Sequence, residues 1–171
     1  MTKTEYIAYF ENLAIQSKVL NHDPLPANKK QSFFYISDPY TTTSLDNALR
    51  NRVQYPVMLL DAPSGVLDNN EGANYTNTLQ GQFRIVGKTD KDNIDQVQDA
   101  CFKFGFDILT RMRHDSRLHQ IMPNKPISFQ IEDVPYEPIG PISLVHYGYV
   151  FSFRFICPFS FSVTSASWRD I

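Results

Sequence analysis

Apolar residues recur at helical spacing near the start of the chain. Thr2 and Glu5 have the spacing of a capping box, in which each side chain bonds the backbone N–H of the other residue. The apolar positions behind them are Tyr6, Ile7, Phe10, Leu13 and Ala14. This pattern predicts a helix from about residue 4 to 20, which ends near Pro24.

A second and more regular helical pattern begins at Asp92 or Asn93, either of which is a suitable N-cap residue. Its apolar positions repeat at spacings of three and four: Ile94, Val97, Cys101, Phe104, Ile108 and Met112. Phe102, Phe106 and Leu109 widen this apolar face. We therefore expect the helix to be covered on more than one side, by a sheet and by either the first helix or another subunit.

Strand patterns dominate between the two helices. Residues 31–36 predict a short strand, and Ser44 offers an N-cap for a brief helix through Arg50. Residues 55–61 are apolar nearly throughout, which predicts a strand buried on both faces. Residues 78–88 alternate apolar and polar side chains and are its expected partner, with one wet face. Residues 62–77, which contain Pro, Gly and Asn, predict a long loop between them.

Two further strands are predicted after the second helix. Residues 127–134 alternate and lead into a Pro-rich loop at 135–141, and the last strand runs from residue 144 to 157. One face of that strand carries five aromatic residues: Tyr147, Tyr149, Phe151, Phe153 and Phe155. We interpret this row as core packing, because burial with period two is its commonest cause. Contact of part of this face, or of Phe159 and Phe161, with a neighbouring subunit is the alternative.

This order of elements predicts an α+β fold. We expect an antiparallel or mixed β-sheet of about four to five strands with two main helices packed on one face. A length of 171 residues suits one domain, which would cover residues 1–171.

Composition and charge narrow the function classes. The formal net charge of -2, from 18 acidic and 16 basic residues, provides no basic surface for sequence-specific nucleic-acid binding. A signal peptide and a membrane span are both disfavoured, because no apolar stretch approaches the required length. Cys101 and Cys157 match no metal or redox motif, so we expect two buried thiols, although the sequence does not exclude a disulfide.

No catalytic or metal-binding constellation is evident. His114 and His119 are five residues apart, which places them on different sides of a helix, and His22 and His146 are distant. Residues 68–72 group oxygen ligands near a glycine but fail the register of a calcium loop, so a hairpin tip is favoured. The adjacent Glu132 and Asp133 point to opposite faces of a strand. The sequence therefore predicts no catalytic residue, cofactor or metal, and a protein that is not an enzyme.

The order of helices and strands from the first helix to Phe155 resembles that of the tail-terminator and neck proteins of tailed bacteriophages. These are small α+β subunits that form a ring closing the tail tube and receiving the head. The resemblance is one of architecture rather than of a diagnostic motif. The strand at 33–36, the Ser44 helix and the tail after Pro158 depart from the minimal pattern, which leaves open a different neck or baseplate role.

The resemblance implies a structural virion protein that is made in the bacterial host cytoplasm and located in the tail or neck. It implies a homo-hexameric ring that contacts tail-tube and connector proteins, with no cofactor and no membrane contact. By topological position, the implied interface loops contain Asp68, Asn69, Asn70, Glu71, Tyr75, Tyr136, Glu137 and Ile139. Phe159 and Phe161 are the candidate interface aromatics.

Two other function classes compete with this one. The first is a small-molecule or peptide-binding α+β module that works as a monomer or dimer, with the aromatic face lining a pocket. The second is an enzyme, which would need a site built from distant residues such as His146 and Arg154 on the less aromatic face of the last strand.

Overall fold

The structure, a computed structural model, describes residues 1–27, 29–37, 52–68, 75–89, 91–130, 134–142 and 145–160. The described elements are, in chain order, α1 (Lys3–Gln16), β1 (Gln31–Ile36), β2 (Val53–Asp61), β3 (Ser64–Asp68), β4 (Tyr75–Lys88), a 3-10 turn (Lys91–Asn93), α2 (Ile94–Arg117), β5 (Ser128–Gln130), β6 (Tyr136–Ile142) and β7 (His146–Phe159). This confirms the predicted α+β class. The short helix predicted at Ser44 lies outside the described residues. None of the described helices is long and apolar enough to cross a membrane.

The described strands form one mixed sheet of seven strands, so the expectation of four to five was too low. The strand order is β1-β2-β4-β7-β5, and only the β1–β2 pair is parallel. β4 and β7 are 14 residues each and pair along their whole length. β2 and β3 therefore share the other edge of β4, and β5 and β6 share the other edge of β7.

The long loop predicted at 62–77 is wrong at both ends, because residues 64–68 and 75–77 are strand, while residues 69–74 lie outside the described ranges. Residues Ser64–Asp68 form β3, which pairs with β4 from Ser64↔Gln80 to Asp68↔Thr76. Every residue of β3 is exposed, so the strand lacks the alternation of buried and exposed positions on which sequence patterns depend. Backbone pairing with β4, and not side-chain burial, determines this strand.

The Pro-rich loop predicted at 135–141 is also wrong. Tyr136–Ile142 forms β6, which pairs with β7. Pro138 and Pro141 are tolerated because β6 is an outer strand, on which a residue without an N–H can face away from its partner. Of the strand predicted at 127–134, Ser128–Gln130 is strand, and residues 131–133 lie outside the described ranges.

α1 has the predicted N-terminus and a different C-terminus. The Thr2 side chain accepts a hydrogen bond from the Glu5 N–H, and the Glu5 carboxylate accepts one from the Thr2 N–H, which confirms the capping box. The helix ends at Gln16 and not near residue 20, because the Ser17 hydroxyl accepts from the N–H groups of Val19 and Leu20. Side chain to backbone bonds of this kind compete with helix continuation.

The main core lies between the two helices and one face of the sheet. Phe151, Phe153 and Phe155 of β7 are at most 2% exposed, which confirms core packing for that part of the aromatic row. Phe10 of α1 meets this layer, with its ring centroid 5.1 Å from that of Phe153 and 6.2 Å from that of Phe83. Both cysteines are buried free thiols, and Cys101 belongs to the same core.

The opposite face of the sheet has a smaller apolar cluster at one end, formed by Ile36, Val57, Leu59 and Val86. β2 is therefore buried on both faces over its second half, as predicted, while residues 53–56 are only half-buried. Asp61 and Arg84 also lie on this face and form an ion pair, in which an Arg84 NH₂ group donates to Asp61 Oδ1 at 2.8 Å and the other NH₂ nitrogen lies 2.7 Å from Oδ2. Burial raises the pKa of Asp61, and Arg84 opposes this shift.

α2 is longer than its predicted apolar pattern and ends at Arg117. Its expected side-chain cap is absent, because Asn93 occupies the N-cap position without a side-chain hydrogen bond and a 3-10 turn precedes it. Gly105 lies in the middle of the helix, where glycine is unfavourable by about 1 kcal/mol relative to alanine. A Cβ atom at Gly105 would overlap the Phe151 ring, so the close approach of α2 to β7 requires this glycine.

Gly105→Ala is expected to destabilise the protein even though it improves helix propensity. Overpacking against the Phe151 ring costs about 1–3 kcal/mol, against a propensity gain of about 1 kcal/mol. Thr110→Ala, at an exposed position of the same helix, is the control and is expected to leave stability unchanged or slightly raised. Urea unfolding of the three proteins measures the difference. A Gly105→Ala protein more stable than wild type would show that the helix and strand are not in close contact.

Candidate assembly surfaces and an interhelical groove

Part of the first predicted interface loop lies at the end of the sheet where β3, β4 and β7 pair side by side. We use "arm" for β3, Tyr75–Gln80 of β4 and Arg154–Phe159 of β7. Asp68 ends β3 opposite Thr76, and Tyr75 pairs with Phe159, so the structure brings these predicted residues together. Asn69, Asn70, Glu71 and Phe161 lie outside the described residues.

The arm presents an apolar surface on the helix side of the sheet. Leu67 pairs with Asn77 and Tyr75 pairs with Phe159, and paired residues share a face of the sheet. By alternation along β4, this is the face on which Phe83 joins the core. The exposed fractions are 53% for Leu67, 36% for Tyr75 and 42% for Phe159. These three side chains, the arm patch, extend the apolar face of the sheet beyond the core.

The second predicted group, Tyr136, Glu137 and Ile139, lies on β6. Tyr136 is half exposed, and its ring centroid is 5.4 Å from that of Phe106 and 5.6 Å from that of Phe102 on α2. Phe106 is itself 39% exposed. Glu137 is exposed, whereas Ile139 is half-buried against the small cluster on the opposite face. We call Phe102, Phe106 and Tyr136 the edge patch.

The arm patch and the edge patch are separate surfaces. Tyr136 of the edge patch pairs with Phe151 of β7. Tyr75 of the arm patch pairs with Phe159, which lies eight residues farther along the same strand. At the rise of a β-strand, this separates the two patches by roughly 26 Å along β7. Leu67 of the arm patch lies beyond β4, on β3, whereas Tyr136 of the edge patch lies beyond β7, on β6.

His146 and Arg154, the residues considered for an enzyme site, do not come together. His146 is buried, with Nε2 2.6 Å from the Tyr55 hydroxyl and Nδ1 3.0 Å from the Ile142 carbonyl oxygen. Arg154 is exposed and lies eight residues away on the same strand. Burial raises the pKa of Tyr55. These contacts join β2, β6 and β7 around His146.

A groove between α1 and α2 combines charged and apolar lining residues. Its volume is about 430 Å³, and its lining residues are Glu5, Ala8, Tyr9, Asn12, Gln16, Arg111, Asp115, Gln120, Ile121, Met122 and Pro123. A second opening of about 260 Å³ adjoins it and shares Gln16 and Arg111.

A buried carboxylate forms the floor of the groove. Asp115 is 3% exposed and accepts hydrogen bonds from the Tyr9 hydroxyl at 3.1 Å and from Arg111 Nε at 2.7 Å. Burial raises the pKa of Tyr9, and the charge of Asp115 raises it further. Sequence reasoning missed this group, although a signal was available: Asp115 continues the apolar spacing of Ile108 and Met112.

Glu5 and Lys125 form an ion pair at the rim of the groove, with an N–O distance of 2.8 Å. The hydrogen bond from Lys125, followed by that from the Thr2 backbone, lowers the pKa of Glu5 from 4.5 to about 2. The described residues contain no group of three His, Cys, Asp or Glu side chains that could hold a metal ion.

Comparison with known proteins gives no relative: no protein-family model matches the chain, and no curated protein matches it with significant similarity.

Glu5→Gln is expected to lower stability above pH 4.5 by about 0.5–1 kcal/mol, because glutamine keeps the cap but loses the charge opposite Lys125. Because the pKa of Glu5 is lowered in the folded protein, its charge contributes fully to folding stability above pH 4.5, and this contribution is lost as the pH falls through about 2. Urea unfolding of wild type and variant at pH 7 and pH 3 tests this. A stability difference that does not shrink at low pH would contradict the assignment. Asp99→Asn, at an exposed position of α2, is the control and is expected to show no such pH dependence.

Proposed function

We propose that this chain is a structural virion protein of a tailed bacteriophage, a ring-forming tail-terminator or neck subunit that joins the tail tube to the head-side connector. The observation that carries the proposal is the presence of two separate apolar patches on one subunit, the arm patch and the edge patch. The resemblance of the order of helices and strands to that of tail-terminator and neck proteins is the reason for proposing a phage particle.

Closed rings of more than two copies need a heterologous interface, in which one surface of a subunit binds a different surface of the next. A twofold dimer needs only one self-complementary surface. The arm patch and the edge patch differ in composition, since one combines Leu67 with two aromatics and the other is wholly aromatic. Their separation along β7 lets each contact a different neighbour.

The two patches suit side-chain contacts rather than the addition of strands. β6 carries Pro138 and Pro141, which protect an outer strand from pairing with another chain. Half-exposed aromatic side chains such as Tyr136 and Phe159 are typical anchors of protein interfaces. The ring contact that we propose therefore places the arm patch of one copy against the edge patch of the next.

A small-molecule or peptide-binding module remains the second candidate function. The groove between α1 and α2 favours it, because a volume of about 430 Å³ lies within the usual range of ligand sites.

Light scattering of the purified protein, followed by negative-stain imaging of any large species, tests the ring. We expect closed rings of about six copies with cyclic symmetry. A strict monomer at high concentration would contradict self-assembly and favour the binding module, and a twofold dimer would contradict the heterologous contact.

Surface variants test which patches meet. The arm variant is Tyr75→Ser with Phe159→Ser, the edge variant is Tyr136→Ser, and the control is Val66→Ser, an exposed apolar position on the other face of the arm. Each patch variant alone is expected to be monomeric, and the control is expected to form rings. A mixture of the two variants retains one intact contact and is expected to give a heterodimer without rings. Rings formed by either variant would contradict the proposed contact, provided that circular dichroism shows all variants folded.

A further inference from the structure

We propose that the groove between α1 and α2 binds a carboxylate group and that Arg111 is its anchor. This site is independent of ring formation, because the residues that line the groove belong to neither the arm patch nor the edge patch.

The Arg111 guanidinium is held in position from one side. Its Nε donates to Asp115 Oδ1 at 2.7 Å, while the Tyr9 hydroxyl donates to Oδ2 of the same carboxylate at 3.1 Å. Tyr9 and Asp115 are both buried, so this support is fixed by the packing of both helices. A guanidinium that is already oriented loses little side-chain freedom when it binds a ligand.

The outer edge of the same guanidinium is available. The Arg111 side chain is 46% exposed. Within the described residues, the only hydrogen bond of its guanidinium is the one from Nε to Asp115. The two terminal NH₂ groups therefore have no protein partner there. An arginine presents parallel N–H donors with the spacing of the two oxygens of a carboxylate, which gives a two-bonded contact.

The surroundings of Arg111 suit a carboxylate carried by a peptide. Exposed amide side chains line the groove at Asn12, Gln16 and Gln120, and amides can pair with both the N–H and the C=O groups of an extended chain. Ile121 and Met122 supply an apolar wall. The groove and its neighbour meet at Arg111, so a bound segment can pass on both sides of the anchor.

The charges around the groove permit a ligand carboxylate to bind beside the carboxylate of Asp115. Glu5 is neutralised by Lys125 at 2.8 Å, and Lys18 lines the adjoining opening. Asp107 also lines that opening and is the charge that opposes binding there. Asp115 is already engaged by a hydroxyl and a guanidinium. We therefore expect a glutamate or aspartate side chain of a peptide to bind at Arg111, with a free dicarboxylate as the other source of the same chemistry.

Isothermal titration calorimetry of the full chain tests the anchor, with sodium glutarate as the probe and uncharged glutaramide as its matched control at equal ionic strength. Glutarate is expected to bind saturably and glutaramide is not. Arg111→Lys keeps the charge but removes the paired donors, so glutarate affinity is expected to fall about tenfold or more. Arg113→Lys, on the same helix and outside the groove lining, is expected to match wild type.

A second titration identifies the source of the carboxylate. The probes are a capped five-residue peptide with one central glutamate and the same peptide with glutamine. Tighter binding of the glutamate peptide than of glutarate would support a peptide ligand, and equal binding would support a small dicarboxylate, with Arg111 as the anchor in both cases. No saturable binding of either acidic probe up to about 10 mM, or equal binding by the Arg111→Lys variant, would overturn the proposal.

Discussion

The fold depends on the pairing of β4 with β7 and on the aromatic layer that this pair presents to the helices. The two strands pair without interruption from Tyr75↔Phe159 to Lys88↔His146. Directly opposed Phe83 and Phe151 stack with ring centroids 5.2 Å apart and are fully buried. Cross-strand aromatic pairs of this kind stabilise both the sheet and the core beneath the helices. All other described strands except β1 pair directly with β4 or β7.

The length of this strand pair also explains the exposed patches. The helices cover the middle of β4 and β7, where Phe153 is 2% exposed, but Tyr75 and Phe159 at the end of the pair are 36% and 42% exposed. A sheet that extends beyond its helical layer must leave apolar side chains in water unless another surface covers them. The same central pairing that builds the core therefore also places Tyr75 and Phe159 of the arm patch at the end of the strand pair.

The sequence predicted the elements whose side chains alternate between core and solvent, and it missed those held by backbone pairing. The alternation around Phe83 and in the aromatic row of β7 identified the central strands, because burial leaves a periodic pattern. β3 has no buried residue and β6 contains prolines, so neither gave such a pattern. The pairing of Tyr75 with Phe159 joins residues far apart in sequence, which no local pattern reveals. Asp115 was missed because its buried role depends on Tyr9 of the other helix.

The polar contact between Tyr9, Asp115 and Arg111 connects the two helices beside the groove. Helices joined by apolar side chains approach until ridges fill grooves, at interaxial distances of about 8–10 Å. Here a hydroxyl and a carboxylate contact each other beside an open space of about 430 Å³, in addition to the apolar core that both helices share. A buried ion pair or hydrogen-bonded carboxylate contributes little net stability relative to well-packed apolar residues. This contact therefore orients the Arg111 guanidinium beside the opening, and its contribution to net stability is small.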